Sequence, residues 1–547
     1  MQNYRLGAVV AGIFATLVIY PHPSLADWTF KSRPDLSPPV LNITIPAASE
    51  DGFLFMTHHR GIGVKITEPS GPVQSGSYIF TSKGELVWSG MGCLLDSSSN
   101  FHVTQYQGDD VLVAYQANAE WNAHRGVGHV TILNRNYVPI KTIVGNGILI
   151  DVHEFNVVDG KSVLMDAFMP IPYDLTPFGN PPESQWIFDA TFQAIDLSEI
   201  DLETGEVLFE WSSLDHVSPA ETIEPISTLS SGTGFSTAKA IDYMHINSLD
   251  KDGDDYLVSG RRTSTIFKID GKSGKVIWRL GGRLSNFTLG PGVEFGLQHH
   301  ARFISRSKGG HQTVISLFDN SGHHLDNFTG RYENNSSGKI IVIDTKNWTA
   351  TLSQKFPAPD GLFASNTGSN QILPNGNVFI NWGSPGAITE FTPNGTIVFH
   401  AYLDSGELFR NGHEFTYRAT KSNWTGIPRE NPALVALKHD EITTLYVSWN
   451  GDTETKFWRF FGAEESGKEI LLGDEARSGF ETSFRVGERP ELTAFRAGAV
   501  GGDGKMTRMS KLVKSKPQIF PYVPGKDDSG DGDDGSQATM GSENGEL

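Results

Sequence analysis

The chain has 547 residues, with 59 Gly, 28 Pro, 11% aromatics and a formal net charge of −19. That length allows one large core or two domains of unequal size. The acidic balance excludes nucleic acid as a partner, because phosphate binding needs a basic face. A single cysteine, Cys93, excludes an intrachain disulfide and thiolate metal clusters, so core size must supply the stability.

In chain order, Arg5 precedes an apolar run from Leu6 to Tyr20, followed by the small-residue site Ser24–Ala26. A basic start, an apolar centre and such a site predict a secretory signal over residues 1–26 and an extracellular protein. The run is short for a membrane span, which needs about 20 apolar residues, so no stable membrane insertion is expected once the signal is cleaved. A retained signal anchor is the alternative. Asn-x-Ser/Thr acceptors stand at Asn42, Asn286, Asn327, Asn334, Asn335, Asn347, Asn394 and Asn423, which together with the signal predict a eukaryotic glycoprotein.

From residue 27 two patterns alternate without sustained helical periodicity. One is a short apolar strand: 52–56, 111–115, 162–166, 255–259, 313–317 and 377–381. The other is a hairpin following each: 78–88, 130–140, 200–211, 266–278, 341–351 and 388–398. Gly84, Asn136, Gly205, Gly274, Asn347 and Gly395 supply the turn residues that a tight hairpin needs. Trp88, Trp211 and Trp278 end three of the hairpins and suit packing between stacked sheets. Six small sheets at a recurring interval predict an all-β fold, a six-bladed β-propeller over residues 27–410. After that the spacing changes, though 434–439, 444–449, 456–461 and 491–495 still alternate like strands, and residues 411–515 read as a small β module, either packed on the propeller or closing it. Residues 516–547 read as an acidic, Gly/Ser-rich disordered tail.

Before five of the apolar strands stand polar residues in register: His102, His153, His245 with Asn247, His299 with His300, and Asn370 with Gln371. Loops entering the innermost strands of a propeller converge on one mouth of its channel. These residues are therefore expected to meet there as a ring. Arg261 and Arg262 end the strand after His245, where a guanidinium can bind an anion bidentately. The segment Asp250–Asp255 resembles the opening of a Ca²⁺ loop but lacks the distal Glu, and it reads as a strand-to-strand turn.

Met244–Leu249, Leu257–Arg261, Lys275–Trp278 with Gly281, and Gln298–His299 followed by Leu317–Asn320 resemble the motifs of the PAPS-independent arylsulfotransferases. The segment His153–Phe155 with Val163–Met165 resembles that family's earlier His-bearing blade, and the likeness runs from Phe53 to Tyr402, closest to a secreted fungal branch. The resemblance implies a six-bladed propeller and an aryl-sulfate sulfotransferase. Such an enzyme moves a sulfuryl group from an aryl sulfate to a phenol through a sulfated histidine, with neither cofactor nor metal. Carried over by position, it implies His299 as nucleophile, His153 and His245 as its catalytic neighbours, and Asn247 and Arg261 as sulfuryl ligands. His102 and His300 would complete the substrate site, and the expected partners are small phenols and aryl sulfates. A loop one residue shorter than in the bacterial members leaves Arg261 and Arg262 both open, and the doubled histidine leaves His299 and His300 both open. The disulfide of the bacterial members is impossible with Cys93 alone. Two other readings exist: a metal-dependent propeller enzyme using the histidines as ligands, and a secreted binding propeller without catalysis.

Overall fold

Alternating apolar residues bounded by Gly and Asn turns give strands at each expected place. In the computed structural model, the described residues are 27–46, 52–60, 72–120, 125–158, 160–197, 205–229, 231–322, 333–404 and 414–517. The expected signal segment, Asn327 and all but the first two residues of the expected tail lie outside them. Among the described residues the chain is β-strand with short 3-10 turns, and no helix is long and apolar enough to cross a membrane.

Four sheets are arranged as propeller blades. The first joins Phe53–Arg60, Gly76–Thr81 and Leu86–Ser89 to Ala419–Ser422 and Glu414–Phe415. The others run from Ile246–Asp252 to Val276–Gly281, from His299–Arg306 to Thr349–Pro357, and from Ser369–Ile372 to Ile397–Tyr402. Between the first and second of these lies an eight-stranded sheet from Ser99–Tyr106 to Val207–Ser212. Its two four-strand meanders meet through one pair, Val127 with Asp151.

The strand carrying the polar candidates is one that apolar patterning does not reveal. It is the edge strand of each unit: Ser99–Tyr106, Ile150–Val158, Ile246–Asp252, His299–Arg306, Ser369–Ile372 and Ala419–Ser422. These edges line the channel and bond to one another across sheets. Asn100 Nδ2 donates to Val152 O at 2.9 Å, Asn156 Nδ2 to Leu249 O at 3.0 Å, and the Ala301 N–H to Ser248 Oγ at 2.9 Å. The pair Gln371 and Lys421 continues the circuit, with amide and backbone bonds of 3.0 and 2.8 Å.

Ala419–Ser422 pairs with Phe53–Met56, so the last propeller strand closes on the first. The expected boundary at residue 410 is therefore too early: a strand unpaired at the end of the circuit would leave an open sheet edge, and residues 414–422 fill it. Beyond, Ala433–His439, Ile442–Ser448, Thr455–Glu464 and Leu492–Gly501 form as the alternation predicts. With four further strands they make an eight-stranded sheet that curls until its edges, Glu469–Ala476 and Glu481–Gly487, approach each other as a nearly closed barrel. Val513–Pro517 is one of those strands and takes the first two residues expected in the tail.

Of two local expectations, one needs adjustment. The turn Gly84 has φ 78°, as read, but in two hairpins the left-handed residue is Tyr137 or Trp348, one position after the expected Asn. The acidic segment is a turn, as expected: Ile246–Asp252 and Asp255–Gly260 pair around Gly253 at φ 64°. Lys268 reaches Asp252 and Asp255 at 3.0 Å each. Trp211 packs between sheets, its Nε1 donating to Gly274 O at 2.9 Å, and Trp88 stacks on Tyr137 at 4.9 Å.

Candidate active site

The site forms where the channel-lining strands begin. Register shifts fall between Ser99 and His102, between Ile246 and Ser248, and between His299 and Arg302; another falls opposite the segment Ile150–Phe155. A bulge turns side chains off the sheet face and re-aims them, here toward the axis. His245 sits at φ 55°, a left-handed conformation that costs a non-glycine residue about 1–3 kcal/mol. Gly368 (φ 110°) lets the neighbouring strand start close by, since a Cβ there would lie 2.4 Å from the Phe318 ring.

His153, His245 and His299 come together at this mouth. The rings of His153 and His245 meet edge to face with centroids 4.5 Å apart. Tyr417 stands 5.6 Å from His153 and 6.4 Å from His299, at the centre of the group. All three histidines are at least 95% buried.

Each ring is fixed through Nδ1. His153 Nδ1 bonds the Asp151 carboxylate, and His245 Nδ1 bonds that of Asp242. His299 Nδ1 lies 2.7 Å from Asn320 Oδ1. Asn320 Nδ2 donates to Ala364 O and Thr367 O at 3.0 Å each, which turns Oδ1 toward His299 as an acceptor. The Nδ1 of His299 must then carry the proton, and its Nε2 keeps the lone pair.

Burial, followed by the Arg261 guanidinium, holds His299 well below the ordinary histidine range. Burial pushes His245 down to about 3 against the pull of Asp242. Burial would raise Asp242, but His245 and then Arg262 hold it below the usual carboxylate range. At neutral pH His245 and His299 are neutral and Asp242 is an anion.

Arg261 and Arg262 are both buried against this group, and the Nε of each lacks a hydrogen-bond partner among the described residues. Burial and then Arg262 pull Arg261 down to about 9, the signature of a guanidinium short of a counter-ion. Its Nη2 donates to Ser365 O at 3.1 Å. An anion among these groups would satisfy both.

The remaining expected residues lie elsewhere. Asn247 gives its amide nitrogen to Gln298 O at 2.7 Å, and its backbone carbonyl accepts Arg418 at 2.7 Å, so it holds neighbouring strands together. Gln298 clamps the adjoining sheet through Ser259 Oγ and Gly260 O, at 3.0 and 3.1 Å. His102 and His300 line a separate cavity farther along the same strands. Of the doubled histidine, His299 is therefore the one at the ring.

Sequence reasoning missed Asp151, Asp242, Asn320 and Tyr417. The first two stand two and three residues before their histidines, a spacing that carries no meaning until the bulge folds them onto Nδ1. Among the described residues, the group able to hold a metal is Asp151, His153 and Asp166, whose ligand atoms lie within 4.8 Å of one another. Its one histidine is His153; His245 and His299 are not in it.

A search of curated proteins found no match. Solved structures with some likeness include a protein of unknown function from Bacteroides caccae, at 11% identity over 70% of this chain and 100% of that one, with a TM-score of 0.35. A putative 6-phosphogluconolactonase from Bacteroides uniformis matches at 10% over 74% and 97%, with a TM-score of 0.27. A hydrazine synthase from Kuenenia stuttgartiensis matches at 11% over 59% and 73%, with a TM-score of 0.29. Likeness at this level carries no argument. The family comparison does: residues 102–404, more than half of the chain, match the arylsulfotransferase (ASST) family. That span contains the three clustered histidines, both arginines and Asn320, and the chain belongs to the arylsulfotransferase family, whose members are sulfotransferase-type enzymes.

Proposed function

We propose that the chain transfers a sulfuryl group from an aryl sulfate ester to a phenol through a sulfated His299. The observation that carries this is the Nδ1 bond of His299 to Asn320 Oδ1 at 2.7 Å, which leaves Nε2 as a neutral nucleophile beside Arg261. Nε2 attacks sulfur, an S–N bond forms, the ester S–O bond breaks, and the phenolate leaves. Arg261 and Arg262 offset the charge on the three transferred oxygens. In the second half, His245 Nε2 takes the proton of the acceptor hydroxyl, whose oxygen attacks sulfur. The new S–O bond forms, the S–N bond breaks and His299 returns to its neutral form, and the proton passes from His245 through solvent to the released phenolate. Asp242 stabilises the resulting imidazolium, as a carboxylate does behind any such base.

The test is release of phenolate from 4-nitrophenyl sulfate in the presence of a phenol. His299→Ala is expected to lower the rate at least about 10³-fold, and mass spectrometry of donor-treated wild type should find the sulfate on His299. Full activity in His299→Ala overturns the mechanism; absence of any phenolate release in wild type favours a binding propeller. The Asp151, His153 and Asp166 group favours a second reading, a metal-dependent enzyme. Stoichiometric metal lost together with activity in His153→Ala would select it.

The blade count is six if the eight-stranded sheet is two blades joined by the single pair Val127 and Asp151; the circuit of six edge strands supports that count. Export through the secretory pathway as a glycoprotein of a secreted fungal branch is supported by the signal-like residues 1–26 and by the exposed acceptors Asn286, Asn334, Asn335, Asn347, Asn394 and Asn423. Asn42 is half-buried. Residues 27–422 as catalytic propeller, followed by the barrel, is the domain division we adopt.

A further inference from the structure

The barrel has an outer face that its core does not use. Ala436, Leu445 and Val447 pack inside the barrel. By the two-residue alternation of a strand, Val435, Leu437, Thr444 and Tyr446 then face outward. The register aligns these residues in rows. Lys516 stands beside Leu437, Leu437 beside Thr444, and Thr444 beside Arg485. Tyr446 lies between Val435 and Ser483, and Lys514, two residues before Lys516, shares its face.

The face is basic at its sides with an apolar and aromatic floor. Lys514, Lys516 and Arg485 are exposed, whereas Val435, Leu437 and Tyr446 are half-buried between them. None of these three cations has an ion-pair partner among the described residues. The next row holds Ser448 and Glu481, and the Glu481 carboxylate is taken by the N–H and hydroxyl of Ser32 at 2.6 Å each. In a chain of net charge −19, unpaired cations on one face reverse the local sign and attract an anion.

Their spacing describes that anion. Strands about 4.8 Å apart put Arg485 roughly 14 Å from Lys516, and Lys514 and Lys516 lie about 7 Å apart along one strand. Charges so spread suit a ligand that carries its own along a length. The Tyr446 ring and the hydroxyls of Thr444 and Ser483 suit rings with a C–H face and hydroxyl edges. A polymer of acidic sugars has all of these. A membrane surface would need a long apolar side chain to insert, where this face has only half-buried ones. A nucleic acid would meet the repulsion of an acidic chain with few cations to offset it.

We propose that this outer face of the barrel docks an anionic polysaccharide, a chain of uronic acid residues. The proposal rests on the barrel's own residues and stands even if the sulfuryl-transfer reading fails.

The test is calorimetric titration of the full chain with hexagalacturonate at low salt. Lys514→Glu combined with Lys516→Glu should weaken binding at least about tenfold, and Tyr446→Ala about threefold. Lys468→Glu, at an exposed lysine elsewhere on the barrel, and His299→Ala should leave binding unchanged. If the double variant melts below wild type, Arg485→Gln supplies the same test. The proposal is overturned if hexagalacturonate does not bind or if uncharged maltohexaose binds as tightly. It is equally overturned if the charge variants have no effect, or if phosphatidylserine vesicles or single-stranded DNA bind more tightly through the same lysines.

Discussion

Glu154→Gln keeps the shape of a buried ionic cluster, in which Glu154 lies 2.7 Å from Arg418 Nη1 and 2.8 Å from Arg302 Nη2, and removes its negative charge. Glu154 is 1% exposed and Arg418 is also buried, so the substitution leaves a guanidinium in a dry site opposite an amide. Breaking a buried ion pair from one side costs about 3–5 kcal/mol. Arg418 retains Asn247 O at 2.7 Å and the face of Tyr417 at 5.3 Å, which places the expected loss at the lower end, about 3 kcal/mol. Arg302, whose side chain is 19% exposed, turns toward the channel water and adds little. Burial opposes the ionised form of Glu154, but Arg302 and Arg418 hold it below the usual range. The pair's contribution is therefore present above the unfolded pKa and fades as pH falls through the folded one. Guanidinium unfolding at pH 7 should show a lower midpoint at unchanged slope. Adding Arg418→Met, which removes the orphaned charge, should restore about 2 kcal/mol. A loss under about 1 kcal/mol for Glu154→Gln, or no recovery in the double variant, would refute the buried-pair argument.

Asn320→Leu removes the acceptor that sets the His299 tautomer, and kcat for sulfuryl transfer should fall about 10²-fold with KM little changed; an equal change in both would mean the ring is oriented by other contacts. His58, His102 and His245 are pushed down to about 3, 4 and 3 by burial. Because the unfolded chain takes up these protons first, stability should be full above about pH 6.5 and decline below it, by at most about 1.4 kcal/mol per pH unit for each histidine. Unfolding midpoints at pH 7, 6 and 5 check this, and a flat or rising series contradicts the buried, neutral histidines.

Much of the fold is legible in the sequence, for a reason visible in particular strands. Val111–Tyr115 is covered on both faces and carries only apolar and aromatic residues, so its pattern announces it. The edge strand His299–Arg306 lines the channel, and five of its eight residues are His, Arg or Ser, with Ala301, Phe303 and Ile304 set among them out of strict alternation. Hydrophobic alternation cannot find such a strand. The same polarity that hides it as a strand marks it as a site, which is why the histidines in register were visible before the strand was.

The sequence by itself determined that this is an all-β chain of recurring sheets; its register gathered His102, His153, His245, His299 and His300 into one ring, of which the structure brings only His153, His245 and His299 together. Only the tertiary structure decided what each histidine can do. Asp151, Asp242 and Asn320 reach their rings through bulges and loops, and His300, one residue from His299, points into a different cavity. It also decided that residues 414–422 close the propeller, because a sheet edge is satisfied by whichever strand reaches it, not by the nearest in sequence. Secondary structure follows from local periodicity, whereas hydrogen-bond partners and protonation follow from groups tens to hundreds of residues apart.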